Sequence, residues 1–129
     1  MKRPHRGLEK ASRVALLAKF TGIFRRSYGI VDVHAARELV GKGAVLLDVR
    51  SLPEWDSGHA SDAYHLPLHE VLESGLDVAA GRPVVAICRS GGRSASAARM
   101  LSRQGVESYS VRGGMGAWRR AGLEITPPH

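Results

Sequence analysis

A chain of 129 residues, 43% hydrophobic and 24% charged, fits one globular domain able to bury a core without metal or disulfide. Its single cysteine, Cys88, excludes an intramolecular disulfide, so a reducing, cytoplasmic setting is expected, and no apolar run reaches the roughly 20 residues of a membrane span. The net charge of +7 has the size of a nucleic-acid footprint, but residues 1–29 hold eight basic residues against Glu9 alone, while the rest of the chain carries 11 of each sign.

Along the chain, residues 1–29 therefore form a basic extension. Within it Leu16, Leu17, Phe20, Ile23 and Phe24 recur at three- and four-residue steps and predict an extra amphipathic helix. Its apolar stripe suits packing on the domain or on a second copy, and its basic surroundings also suit an anionic membrane surface; residues 8–26 would make either contact. No aromatic-interleaved basic motif supports specific nucleic-acid binding.

From Ile30 to residue 125, short apolar runs alternate with helical patterns, the order of a parallel α/β sheet. Ile30 and Val31 begin a first strand, and Asp32 caps a helix through Ala35, Ala36, Leu39 and Val40. Ala44 to Val49 predicts a buried strand; Pro53, Glu54 and Trp55 open a short helix that Gly58 ends. A strand over Ala63 to Leu66 precedes Pro67, and a helix starts near His69. Val84 to Ile87 is the clearest strand, followed by a glycine-bearing loop and a helix through Ala95, Ala98 and Leu101. Val106 to Val111 gives a fifth strand, Met115 to Arg120 a closing helix, and residues 126–129 a frayed tail.

The chemistry lies in Cys88-Arg89-Ser90-Gly91-Gly92-Arg93, which links the clearest strand to a helix. Cys88 thereby falls at a strand's carboxyl end, where sites in open α/β sheets belong. Gly91 and Gly92 let the backbone curl and aim amide N–H groups at the sulfur, and the following helix points its positive end there. Arg89 and Arg93 add two permanent charges. A cysteine after a buried strand is commonly a small core residue, but a core cysteine needs no such loop. The surroundings instead predict a thiol acidity raised toward the thiolate and a nucleophile near neutral pH.

These residues resemble the rhodanese family. The resemblance runs from about Ile30 to Leu123 and rests on Leu47-Asp48-Val49-Arg50, on Glu54-Trp55 with Gly58-His59, on the Cys88 to Arg93 loop with Ser94, and on Gly113-Gly114 with Trp118. It implies a central five-stranded, mostly parallel sheet flanked by helices. It also implies transfer of sulfane sulfur, from a small anionic donor such as thiosulfate to cyanide, a thiol or a protein, through a persulfide on Cys88. Carried over by position, Arg89, Ser90, Gly91, Gly92 and Arg93 match the loop that binds the transferred group. No cofactor or metal is implied. Where the family usually has Pro-Gly, this chain has Ser61-Asp62, which leaves that rim of the pocket open to change.

Two other functions fit parts of the pattern. A cysteine phosphatase on the same fold would place five residues between cysteine and arginine, whereas four stand here; an arsenate reductase would lack a resolving cysteine. A sulfur carrier or binding module with little thiosulfate turnover shares the loop chemistry up to the choice of acceptor. Asp48, at the same sheet edge as Cys88, is the candidate pocket neighbour. Arg50 is expected to pair with Glu54 and His59 to satisfy backbone groups in a turn, while Trp55 and Trp118 anchor short helices. His65 and His69 have a helical ligand spacing that Pro67 breaks.

Overall fold

The computed structural model describes residues 28–128. The basic extension with its Leu16 to Phe24 stripe, and His129, lie outside the described residues. Five strands form one parallel sheet in the order β1 (Gly29–Val31), β6 (Ser108–Val111), β5 (Val84–Ile87), β2 (Val45–Asp48), β4 (Tyr64–His65). Helices α1 (Val33–Gly41), α2 (Leu52–Asp56), α3 (Leu68–Ala79), α4 (Gly92–Arg103) and α5 (Gly114–Arg120) provide the connections. Among the described residues no helix is long and apolar enough to cross a membrane.

Both faces of the sheet are covered, which is why β2 and β5 are apolar at successive positions rather than alternating. Val45, Leu47, Val84 and Ala86 pack with Val71 of α3 and with Ala97 and Leu101 of α4. Leu46, Val85 and Ile87 turn the other way, toward Ala36 of α1 and toward Met115 and Trp118 of α5. Local chemistry sets the helix starts: Asp32 accepts from the Ala35 N–H at 2.8 Å, and Ser51 with Glu54 forms a capping box on α2.

Connectivity creates the crevice. From β2 the chain next enters the sheet at the edge strand β4, and from β5 it enters at β6 on the opposite side. The two outgoing connections diverge, so the carboxyl ends of β2 and β5 flank a switch point where ligand sites form.

The structure departs from the expected elements at one small sheet. His59–Ala60 (β3) pairs antiparallel with Ile125–Thr126 (β7), so Thr126 belongs to a strand rather than to a frayed tail. Two-residue strands carry no periodicity for a sequence pattern to show. Ser61 assists this closure, donating its N–H to the Glu124 carbonyl at 3.2 Å and accepting from the Thr126 hydroxyl at 3.2 Å.

Candidate active site

Cys88 directly follows β5 and is 1% exposed, beneath the exposed Arg89 and Ser90. The helix behind it is capped by Gly91, whose φ of +130° a side chain would strain and which offers no side-chain cap. The sulfur takes over that capping work. Cys88 Sγ accepts from the Gly91 N–H at 3.1 Å and from the Ser94 N–H at 3.3 Å, the latter in the first turn of α4. Its thiol donates to Ser94 Oγ at 3.5 Å. Ser94 Oγ in turn donates to the Gly91 carbonyl at 3.1 Å and lies 2.8 Å from Ser110 Oγ on β6, so this buried hydroxyl is fixed from two sides.

Burial pushes the Cys88 thiol up, but hydrogen bonds from the Ser94 hydroxyl and from the Ser94, Gly91 and Ser90 N–H groups outweigh it and hold the thiol below its ordinary range. The direction agrees with the sequence. Its source is chiefly these hydrogen bonds, while the Arg93 guanidinium makes only a secondary charge interaction with Cys88.

Arg93 forms a bidentate ion pair with Glu54 on α2, Nη1 to Oε1 at 2.7 Å and Nη2 to Oε2 at 2.9 Å. The same Oε1 accepts from the Ser51 N–H at 3.0 Å and the Ser51 hydroxyl at 2.9 Å. Bonding to Arg93 therefore holds the Glu54 carboxyl far below the usual carboxylate range, against the opposing effect of burial. The expected Arg50–Glu54 pair is replaced. Arg50 instead grips Asp48, with Nη2 to Oδ2 at 2.8 Å and Nε to Oδ1 at 3.0 Å, and donates to the Gly58 carbonyl at 2.8 Å.

Strand parity explains where Asp48 lies. Asp48 stands in register with Ile87, so it faces the α1 and α5 side, while Cys88 faces the α3 and α4 side with Ala86. Asp48 is fully buried and bears on the site chiefly by holding Arg50. α2 is fixed in turn by Trp55, which stacks on His59 with centroids 3.4 Å apart and on His65 at 4.8 Å. His59 Nδ1 lies 3.0 Å from the Ala60 carbonyl and His65 Nε2 2.7 Å from the Arg50 carbonyl, while the exposed His69 lies 3.5 Å from Glu70.

Two openings adjoin the loop. One is a cleft of about 700 Å3 lined by Arg50, Glu54, Arg89, Ser90, Arg119 and Arg120 among others; the second is an apolar groove of about 940 Å3 that includes Leu52, Leu68, Leu72, Met100 and Arg93. The Glu54–Arg93 pair stands between them. Ser61 and Asp62 line neither. Sequence reasoning did not assign roles to Ser94, Ser110, Arg119 or Arg120. Ser94 had one signal, its place in the first turn of the helix that follows the cysteine; the other three become neighbours only through the sheet order.

The family model described as a Rhodanese-like domain matches residues 32–121. Thiosulfate sulfurtransferase GlpE of Vibrio cholerae is 38% identical over 97 residues, covering 74% of this chain and 92% of that protein. The protein of the same name from Pseudomonas syringae is 39% identical over 90 residues, covering 69% and 85%. Among solved structures, a rhodanese-related protein from Thermoplasma volcanium superposes with a TM-score of 0.70 at 27% identity, covering 77% of this chain and 98% of that one.

Proposed function

The chain belongs to the rhodanese-like family, and from that membership we propose that it is a thiosulfate sulfurtransferase in which Cys88 carries the sulfur in transit. The observation that carries this reading is the pair of N–H groups, from Gly91 and Ser94, aimed at Cys88 Sγ at 3.1 and 3.3 Å. They favour the thiolate before any substrate arrives, which is what a nucleophile at neutral pH requires.

In the first step the Cys88 thiolate attacks the outer sulfur of thiosulfate. The sulfur–sulfur bond of the donor breaks, sulfite leaves with the bonding pair, and Cys88 holds a persulfide. Ser110 can then donate to Ser94 Oγ, and the Ser94 hydroxyl hydrogen, turned from the Gly91 carbonyl to the sulfur, stabilises negative charge there. In the second step cyanide or a thiolate attacks the terminal sulfur, and Cys88 departs as thiolate. No electron acceptor is needed, because the persulfide bond that forms balances the donor bond that breaks.

The position of Arg93 weighs against the phosphatase alternative. Phosphoryl chemistry in this loop would need its arginine turned toward the bound oxyanion, and Glu54 claims both ends of that guanidinium. Arg89, exposed at the loop's mouth, is the better cation for drawing in thiosulfate.

The test is thiosulfate-to-cyanide transfer by wild type and Cys88→Ser, with intact mass taken after thiosulfate exposure. Wild type should gain one cyanide-labile sulfur atom, and Cys88→Ser should gain none and lose about 1000-fold or more in turnover. A wild-type protein that neither turns over nor gains mass would overturn the reading; loading only from a protein-borne persulfide would assign the chain to sulfur carriage instead.

A further inference from the structure

The cleft beside the loop holds more positive charge than its own fold uses. Arg50 is answered by Asp48, and Glu54 by Arg93. Among the described residues Arg89, Arg119 and Arg120 have no carboxylate partner, and all three are exposed on the same cleft.

Their convergence is built by α5. The Met115 N–H donates to the Cys88 carbonyl at 2.8 Å and the Gly116 N–H to the Arg89 carbonyl at 3.3 Å, which ties the first turn of α5 to the cysteine loop. Gly114 makes this approach possible: a Cβ there would stand 2.3 Å from the Cys88 carbonyl oxygen. Arg120 belongs to the last turn of α5 but folds back across its glycines. Its Nη1 lies 3.4 Å from where a Cβ of Gly116 would be, and its Nη2 4.0 Å from that of Gly113. Arg119 Nη2 leans on the Gly58 carbonyl at 3.4 Å, beside the nitrogen of Arg50.

Thiosulfate does not account for this arrangement. The open cleft of about 700 Å3 has room for molecules far larger than thiosulfate, which has five heavy atoms. Its two charges and single sulfonate leave a guanidinium over, and the planar fork of arginine suits carboxylates held by two parallel hydrogen bonds. Once sulfite has left, the molecule that must enter is the acceptor.

We propose that the acceptor is a thiol bearing two or more carboxylates, recognised by Arg119 and Arg120. This inference rests on the persulfide reading above. The acceptor's thiolate attacks the terminal sulfur of the Cys88 persulfide, the sulfur–sulfur bond to Cys88 breaks, and Cys88 leaves as thiolate. The acceptor carries the sulfur away as its own persulfide, its thiol proton having gone to solvent.

Mercaptosuccinate, a dicarboxylate thiol, and mercaptoethanol, a neutral one, serve as probes. Protein is loaded from thiosulfate, the added sulfur is confirmed by intact mass, and transfer to each thiol is measured per loaded molecule for wild type and for the Arg119→Gln, Arg120→Gln double variant. The ratio of second-order rate constants, mercaptosuccinate over mercaptoethanol, should fall about tenfold in the double variant. Raising the salt concentration should drive the wild-type ratio toward the variant's. Loaded protein whose ratio moves with neither substitution nor salt overturns this inference alone; wild type that gains no sulfur overturns the persulfide reading and this inference together.

Discussion

β2 and β5 lie side by side and end at the same edge of the sheet, yet they finish in opposite ways. β2 ends in Asp48, fully buried and closed by Arg50 through paired hydrogen bonds. β5 leads into Cys88, equally buried at 1% exposure, whose sulfur receives N–H groups but no countercharge within hydrogen-bonding distance. Charge at the first end is neutralised permanently. At the second end the N–H donors favour a thiolate with no ion pair to hold it, as the proposed sulfur carriage requires. Neutral dipoles stabilise a thiolate without fixing it in an ion pair, which suits the nucleophile proposed for this position.

Breaking the closed end should give the largest effect. Arg50→Ala leaves a fully buried carboxylate without its cation, and a loss of about 3–5 kcal/mol in denaturant unfolding is expected. Asp48→Leu combined with Arg50→Met removes both charges and should cost less than the single change, a coupling a double-mutant cycle would display. Additive losses would show that the two residues stabilise the strand ends independently.

The open end should respond in its chemistry. Ser94→Ala removes the hydroxyl beside the sulfur and leaves the two N–H donors in place. Since those bonds hold the Cys88 thiol below its ordinary range, the midpoint of the pH–rate curve should move upward. Turnover at neutral pH should fall about tenfold, with a stability loss of about 1 kcal/mol for the broken contact to Ser110. An unshifted midpoint would mean that the backbone amides alone set the thiolate.

Much of this was legible in the sequence, for reasons that can be named. The loop was readable because its chemistry is local: Cys88, Gly91 and the start of α4 lie within a few residues and obey the helix-capping rules. The β2 and β5 strands were readable because burial on both faces leaves continuous apolar runs. The β3–β7 pair was not, since its strands are two residues long and 65 or more positions apart. The partners of the charges were also hidden. Arg50 and Glu54 are near in sequence, and only the strand direction and the angle of α2 reveal that Arg50 folds back on Asp48 while Glu54 reaches 39 positions ahead to Arg93. Placing Asp48 beside Cys88 followed the shared sheet edge but lacked the register, which turns their side chains to opposite faces.

That exchange of partners links the two ends and sets the smallest expected effect. Glu54 sits on the helix that follows β2 and holds an arginine of the loop that follows β5, so Glu54→Gln should loosen the loop without touching the sulfur. Because the hydrogen bond from Arg93 depresses the carboxyl's pKa in the folded state, the pair's stabilisation is fully present above the ordinary value of 4.5 and is lost as pH falls below it toward the folded value. Glu54 is 29% and Arg93 38% exposed, and solvent screening limits the contribution to about 1 kcal/mol. Wild type should therefore exceed Glu54→Gln by that margin in urea unfolding at pH 7, and the two curves should converge as the pH drops below 4.5. A gap undiminished at pH 3 would trace the loss to the capping box with Ser51, which a glutamine amide fills less well, and would leave the loop's support to Ser94 and Ser110.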